Sequence, residues 1–133
     1  MKKILLCLLL LTACENSNGQ SMPQSKEHAA PEYLYKIVSP EQWQSSQTTR
    51  EVVKGSIDTE FTHLATQEQL PGLIQKYWKD QNYIVLKLDR KKLKGNLVLE
   101  ANPGGTNLYY HLYDGKIPLD AITSSTPFYM PNR

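Results

Sequence analysis

The chain has 133 residues, with 15 lysines and arginines against 13 aspartates and glutamates. This length accommodates one domain, and the positive excess comes from Lys2 and Lys3 at the very start. The remaining basic residues cluster only at positions 90–94, where we expect the solvated end of a hairpin. Composition therefore argues against binding to nucleic acid, which requires a clustered basic face.

The first 13 residues have the order of a signal peptide. Lys2 and Lys3 precede an apolar run from Ile4 to Leu11, which is much shorter than the roughly 20 residues of a membrane-spanning helix. The sequence Leu-Thr-Ala-Cys that ends at Cys14 resembles the lipobox of bacterial lipoproteins. We expect cleavage before Cys14 and its acylation with palmitate or a similar fatty acid. An ordinary secretory peptide that happens to end in cysteine is the alternative.

A lipid anchor at Cys14 predicts where the protein resides. Two or three acyl chains hold a protein stably on a bilayer, so we expect the domain in the cell envelope, facing away from the cytoplasm. In the sorting scheme of enteric bacteria, Glu15 after the anchor favours the outer membrane. Cys7 leaves with the signal and Cys14 carries lipid, so we expect neither a disulfide nor a cysteine-based metal site.

Composition divides the rest of the chain into a tether, a domain and a tail. Residues 14–31 lack apolar periodicity and are rich in Asn, Ser, Gln and Pro, which is typical of a disordered tether. Residues 32–125 carry the periodic patterns of a folded domain. Residues 126–133 are expected to form a C-terminal tail.

The domain begins with a predicted strand and a short helix. Residues 33–38 are aromatic and β-branched, as is typical of a strand. Ser39 and Gln42 have the spacing of a capping box, which predicts the start of a helix that carries Trp43. Residues 44–57 are polar and are predicted to be irregular.

A second strand and helix follow. Residues 61–65 alternate like a strand, and Thr66 with Gln69 has the spacing of a second capping box. Pro71 and Gly72 predict a distorted first turn in the helix that follows. Its apolar residues recur at helical spacing and predict one buried face, formed by Leu70, Leu73, Ile74, Tyr77 and Trp78.

The second half of the domain predicts strands. Residues 83–89 alternate, with one buried face formed by Ile84, Leu86 and Leu88. Two further strands are predicted at 96–101 and 108–113, and a last one at 117–123. Strands outnumber helices without regular alternation, so the expected class is α+β, a small and mainly antiparallel sheet with two or three helices.

Strand alternation also brings polar side chains together. Glu100 lies on the face of its strand opposite two leucines, so it can line a cleft. His63 lies just before the second capped helix, whose N-terminal N–H groups and dipole favour anions. In the strand at 108–113, His111 shares a face with Tyr109 and Tyr113. We expect His63, Glu100 and His111 to face one cleft.

Each of these residues also has a structural alternative. His63 can bond a loop backbone, His111 can be a hydrogen-bonded residue within the sheet, and Glu100 can be a solvated carboxylate. A metal site is less favoured, because the helical i, i+4 pair and the short spacings of zinc sites are absent. No phosphate-binding glycine loop, nucleophile elbow or cysteine nucleophile is present, and the sequence leaves the cofactor unknown.

Several segments together resemble a known family. The sequence around residues 33–122 looks like the bacterial family catalogued as domain of unknown function 952. Its His-Leu-Tyr and Pro-Leu-Asp-Ala motifs are the most specific part of the resemblance. The matching segments are Tyr35–Val38, Trp43, Phe61–Thr66, Glu68–Pro71, Glu100, His111–Tyr113 and Ile117–Ile122.

The resemblance implies a fold like that of the ADP-ribosyltransferases, a split pair of small sheets around a cleft. It implies catalytic roles for Glu100, His63 and His111, and ligand-binding roles for Lys36, Thr66 and Tyr113. The chain departs from the family pattern at three positions, with Glu60 for a usual Gly, Ala65 for a usual Ser and Tyr110 for a usual Pro. The change at Ala65 removes a hydroxyl group from the expected site.

Two functions of different classes remain open. In the first, the cleft binds a nucleotide-like or other small polar ligand, with ADP-ribosyl or related transfer as its chemistry. In the second, a non-catalytic envelope lipoprotein binds a protein or a cell-wall component. The converging polar residues favour the first, whereas a location outside the cytoplasm, where NAD is not expected, favours the second. The sequence names no ligand, acceptor or oligomeric state.

Overall fold

A computed structural model describes residues 29–131. It contains six strands, two α-helices, a π-helical segment and two 3-10 turns. The strands are β1 Tyr33–Val38, β2 Phe61–Leu64, β3 Tyr83–Asp89, β4 Lys94–Ala101, β5 Leu108–Lys116 and β6 Ile122–Phe128. The helical elements are α1 Pro40–Thr49, α2 Leu70–Leu73, the π-helix Ile74–Trp78, and the 3-10 turns Arg90–Lys92 and Leu119–Ala121. The expected signal peptide, lipidated Cys14 and most of the tether lie outside the described residues.

The strands form two antiparallel three-stranded sheets, which confirms the α+β class. One sheet has the order β1-β3-β6 and the other has the order β2-β5-β4. A single bridge joins them, because Tyr35 and Ala65 exchange backbone hydrogen bonds of 2.8 and 2.9 Å. The two sheets are therefore separate along most of their length, which leaves room for a cleft beside the bridge.

Alternating apolar residues from both sheets form the core. Ile84, Leu86 and Leu88 are buried as their spacing predicted. The core continues through Leu34 and Val38 of β1, Leu64 of β2, and Tyr110 and Leu112 of β5. Because successive side chains of a strand point to opposite faces, the residues between these core positions lie on the other faces of the two sheets.

Helix α1 begins as predicted but is longer than predicted. Ser39 accepts a hydrogen bond from the Gln42 N–H, and the Gln42 side chain accepts one from the Ser39 N–H, so the capping box is complete. The helix runs to Thr49, so the prediction of irregular structure was wrong for Gln44–Thr49. This part lacks apolar periodicity because its contact with the domain is polar. The buried Ser46 hydroxyl donates to the Gln42 carbonyl and accepts from the Val53 N–H.

The second helix differs more from the prediction. Only half of its capping box forms: the Thr66 N–H donates to the Gln69 side chain, and the helix begins at Leu70. After one turn it becomes a π-helix. None of its apolar residues is buried, so the prediction of a core-facing helix was wrong. The apolar face instead borders a cavity, as described below.

Two boundaries and one connection also differ. The 3-10 turn Arg90–Lys92 connects β3 of one sheet to β4 of the other, so it is not the end of a hairpin. The last strand is β6, which begins at Ile122 rather than at position 117. It continues to Phe128 by pairing with β3, so ordered structure extends into the segment expected as a tail. Among residues 29–131, no helix has the length and apolar character needed to cross a bilayer.

Candidate functional site

A cavity of about 460 Å³ lies beside the junction of the two sheets. Residues from β1 and β2 form one side, and residues of α2 and the π-helix form another. Its apolar wall includes Ile37, Ile57, Leu73, Tyr77, Trp78 and Tyr109. Its polar lining includes Lys36, His63 and Asn102. Three of the five apolar residues of the helical segment, Leu73, Tyr77 and Trp78, therefore form part of a cavity wall, although none of them is buried in the core.

Lys36, which lines this cavity, belongs to a buried ion pair. The Lys36 Nζ lies 2.7 Å from Asp58 Oδ2, and both side chains are almost inaccessible to solvent. Asp58 Oδ1 lies 2.9 Å from His63 Nδ1 and accepts a second hydrogen bond from the His63 backbone N–H. Lys36 also donates to the His63 carbonyl. We call Lys36, Asp58 and His63 the polar triad.

The contacts of the triad shift the pKa values of Asp58 and Lys36. Burial by itself raises the pKa of Asp58, but the hydrogen bond from His63 and the charge of Lys36 outweigh it and hold that pKa far below its usual value. Burial lowers the pKa of Lys36, and the Asp58 charge opposes this shift. Asp58 holds one ring nitrogen of His63, Nδ1. His63 Nε2 makes no hydrogen bond to any residue in the range 29–131.

A second bonded group lies on the same face of the β2-β5-β4 sheet. His111 Nδ1 lies 2.8 Å from Glu100 Oε1, and His111 Nε2 lies 2.9 Å from Asn102 Oδ1. The Tyr113 hydroxyl donates to the same Glu100 oxygen. The hydrogen bonds from Tyr113 and His111 lower the pKa of Glu100, and the bond to Glu100 raises the pKa of Tyr113 to about 12.

Phe61 connects the two groups. Its ring stacks on His111 with centroids 3.8 Å apart and an angle of 16° between the planes. The His63 ring lies 4.8 Å from Phe61 and 5.2 Å from His111. Since His63 and His111 are also directly paired across β2 and β5, the sheet register fixes their separation.

The expected site residues divide into three sets. Lys36 and His63 lie on the cavity wall. Glu100, His111 and Tyr113 come together as alternation predicted, but they form a bonded group that is not part of the cavity lining. The third set is Thr66, which lies outside the cavity lining and contacts Gln69 through its backbone.

Sequence reasoning missed two polar residues of the site. Asp58 lies between the segment predicted to be irregular, which ends at Ile57, and the strand predicted to begin at Phe61, and Asn102 follows the end of β4. The local signal for Asp58 is a tight turn, in which the Gly55 N–H donates to the Asp58 carboxylate and the Asp58 N–H donates to the Gly55 carbonyl. Nothing in the spacing of Asp58 indicates that it lies beside Lys36, which is 22 positions earlier. Within the described range, no group of three or more His, Cys, Asp and Glu residues is arranged to hold a metal ion.

Comparison with known proteins identifies the family. The model of the family described as "Protein of unknown function (DUF952)" matches residues 37–125, which is more than half of the chain. The chain belongs to this family. The resemblance noted from the His-Leu-Tyr and Pro-Leu-Asp-Ala segments is therefore confirmed. A comparison with functionally curated proteins gives no significant match.

Solved structures support the fold. The crystal structure of CC0527 from Caulobacter crescentus has a TM-score of 0.65 and 24% identity, and the match covers 74% of this chain and 88% of that one. The solution structure of the same protein gives a TM-score of 0.60 at 24% identity, covering 72% and 84% of the two chains. A double mutant of CC0527 gives 0.64 at 22% identity, with 74% and 88% covered. At this level of identity the likeness concerns the fold alone.

Proposed function

We propose that this domain binds a small ligand in the cavity beside the sheet junction. The ligand would combine a flat aromatic or apolar ring with an anionic or hydrogen-bond-accepting group, as a nucleotide does. The observation that carries this proposal is that an aromatic wall and two members of the polar triad, Lys36 and His63, line one cavity. Its volume of about 460 Å³ is in the range of ligand pockets, roughly 300 to 1,000 Å³.

The ring of the ligand would contact the aromatic wall. Tyr77, Trp78 and Tyr109 line the cavity, and Tyr77 is 55% exposed. Large aromatic side chains at the mouth of a cavity offer π-faces that are not used for core packing. A flat ring that stacks there would cover apolar surface that is now in contact with water.

The polar group of the ligand would contact the triad. The Lys36 ammonium has three protons, of which two are directed to Asp58 and to the His63 carbonyl. His63 Nε2 has no partner within residues 29–131, and protonation would make it a donor. The Lys36 and Asp58 charges cancel, so an anionic ligand would be attracted mainly by the protonated form of His63.

The same geometry favours binding over ADP-ribosyl transfer. That chemistry requires a carboxylate beside the ribose to stabilise positive charge as nicotinamide leaves. Glu100 was the expected carboxylate, but its Oε1 is bonded to Tyr113 and His111, and the residue is not part of the cavity lining. The release of nicotinamide from NAD should therefore be measured separately from binding.

The test uses the chain without the expected signal peptide, here called the mature chain. It is titrated with AMP, ADP-ribose, NAD and nicotinamide and followed by thermal denaturation and calorimetry. A ligand at 100 times its dissociation constant should stabilise the fold by about 2.7 kcal/mol. Tyr77→Ala should weaken binding by about tenfold, since stacking of a base on an aromatic side chain contributes about 1 to 3 kcal/mol. Tyr129→Ala is the matched control, because Tyr129 is 60% exposed and is not part of the cavity lining.

Two results would count against small-ligand binding. One is the absence of stabilisation by every compound, which would leave a protein or cell-wall partner as the remaining function. The other is equal weakening by Tyr77→Ala and Tyr129→Ala. Release of nicotinamide from NAD by the wild type, abolished by Glu100→Gln, would instead restore the transferase hypothesis.

We further propose that the domain is held in the cell envelope by lipid on Cys14. The order of a charged start, an apolar run and a lipobox-like segment supports this anchor. In bacteria grown with labelled palmitate, the wild-type chain should incorporate label and fractionate with membranes. Cys14→Ser should do neither, and a labelled Cys14→Ser product would refute the anchor.

A further inference from the structure

His111 lies between two oxygen atoms although it is completely buried. Its Nδ1 lies 2.8 Å from Glu100 Oε1, and its Nε2 lies 2.9 Å from Asn102 Oδ1. A neutral imidazole carries one N–H group and can donate to only one of these oxygens. The imidazolium carries two N–H groups and satisfies both. With the Asn102 oxygen beside Nε2, the contacts fit the protonated ring, whereas turning the amide over would fit the neutral ring with its proton on Nδ1.

Two neighbours favour the protonated ring. The hydrogen bond from Tyr113 is the largest cause that lowers the pKa of Glu100, so this carboxylate is ionised beside Nδ1. The Phe61 ring covers the imidazole face at a centroid distance of 3.8 Å. The face of an aromatic ring attracts a cation. A carboxylate at one edge and a π-face above the ring are therefore the two groups that would contact a positive charge on His111.

Asn102 connects the protonation state of His111 to the cavity. This residue lines the cavity, and its Oδ1 is held by His111. An amide group has an oxygen at one end and an NH₂ group at the other. With the oxygen held by the imidazolium, the NH₂ group is the end left for the cavity. It makes no hydrogen bond to another residue between positions 29 and 131.

We propose that Asn102 is a specificity-determining residue of the cavity, and that the protonation of His111 sets which end of its amide meets the ligand. With His111 protonated, the cavity presents a donor and selects a ligand with an acceptor, such as a carbonyl oxygen or an unprotonated ring nitrogen, at this point. When Nε2 loses its proton it becomes an acceptor, so the amide turns over and presents its oxygen instead. The inference deepens the proposed binding function and depends on it for its relevance to a ligand.

Each group in contact with His111 affects the equilibrium between its protonated and neutral forms. Among residues 29–131, Glu100 from β4 is the carboxylate that bonds the ring, and a negative charge there favours the imidazolium. Tyr113, from the same strand as His111, bonds Glu100, and Phe61 from β2 stacks on the ring. The His63 ring, also from β2, lies 5.2 Å from the His111 ring. Asn102 completes the set from the loop after β4.

The first experiment needs no ligand. In the mature chain labelled with ¹⁵N in histidine and asparagine, NMR measures the protonation of each ring nitrogen across the range in which histidines titrate, about pH 5 to 8. At the low end, both nitrogens of His111 should be protonated. As Nε2 loses its proton, the side-chain amide signals of Asn102 should shift in the same step.

Two variants and one control sharpen the experiment. Asn102→Asp places a carboxylate beside Nε2 and should move the step to higher pH, whereas Glu100→Gln removes the carboxylate beside Nδ1 and should move it to lower pH. Asn107→Asp introduces the same charge at an exposed position of the same β4-β5 loop and should leave the step in place. The measurement on the unmodified chain stands by itself if a variant fails to fold.

Either of two results would overturn the inference. One is a His111 Nε2 that stays unprotonated over the whole pH range in which the chain is folded. The other is a step that Asn107→Asp moves as far as Asn102→Asp does. AMP is the probe for ligand binding. In the wild type, the affinity for AMP should change over the pH range in which Nε2 loses its proton. In Asn102→Asp, the affinity should no longer depend on this loss. Absence of AMP binding would count against the proposed function and leave the NMR result intact.

Discussion

Replacing Asp58 with asparagine tests the polar triad most directly. The Asp58 side chain is inaccessible to solvent and accepts from four donors: Lys36 Nζ, His63 Nδ1, and the backbone N–H groups of His63 and Gly55. Asp58→Asn keeps the shape but removes the charge and turns an NH₂ group towards some of these donors. Lys36 would then be a buried cation without a counter-ion.

The expected loss is large. Removing one partner of a buried ion pair costs about 3 to 5 kcal/mol. At a slope of about 2 kcal/mol per molar urea, this loss lowers the unfolding midpoint by roughly 2 M. Urea unfolding followed by tryptophan fluorescence measures the shift. Lys36→Met combined with Asp58→Asn should recover part of the loss, because no unpaired charge of this pair then remains buried.

The control is an ion pair at the surface. Lys116 Nζ lies 3.2 Å from Glu51 Oε2, and both side chains are well exposed. Glu51→Gln should therefore change stability by less than about 1 kcal/mol. A loss below about 1 kcal/mol for Asp58→Asn, or a double variant less stable than the single one, would refute the assignment of a buried, mutually dependent pair.

The lowered pKa of Asp58 adds a pH dependence with a definite sign. In the unfolded chain an aspartate has a pKa of about 3.9, so below that pH the unfolded state binds a proton that the folded state does not. The Asp58 contribution to stability is therefore present above about pH 4 and is lost as the pH falls further. Asp58→Asn should remove this part of the acid sensitivity.

Three further changes have expected outcomes. Trp78→Ala should lower the free energy of unfolding in urea by about 1 to 2 kcal/mol, less than the roughly 3 to 5 kcal/mol for a buried aromatic residue. The reason is that Trp78 lines the cavity and is only half-buried against Tyr83. A larger loss would place Trp78 in the core. Ser39→Ala should cost about 1 kcal/mol by removing the helix cap, and an unchanged midpoint would show that the cap is dispensable. Tyr113→Phe should raise the pKa of Glu100, measured by ¹³C NMR of its carboxyl group, since the Tyr113 hydrogen bond is the main cause that lowers it; an unchanged pKa would contradict that cause.

Local patterns in the sequence were sufficient for the strands and for one pair of site residues. Because side chains alternate along a strand, the sequence alone placed Glu100 and His111 on faces that turn out to be shared. The capping box at Ser39 likewise predicted where α1 begins, because its two members, Ser39 and Gln42, are only three positions apart in the chain. Such features depend on neighbours in the chain and are visible without the fold.

The same local patterns gave wrong or incomplete answers where the partner is distant. Helical spacing showed that residues 70–78 have an apolar face but not that this face borders a cavity, because spacing does not identify what a face meets. His111 was expected on the cavity itself, yet Phe61 and Asn102 from other elements cover it. Substitution of His111 is therefore expected to affect stability as well as binding.

The sequence by itself determined the class of the fold, most of its strands and the family to which the chain belongs. It also put Lys36 and His63 among the candidate site residues. Only the tertiary structure decided that Asp58 joins those two in a buried triad and that Asn102 connects His111 to the cavity. Both residues lie in loops, where no periodicity constrains a side chain, and both acquire their roles from the pairing of the strands and the meeting of the two sheets.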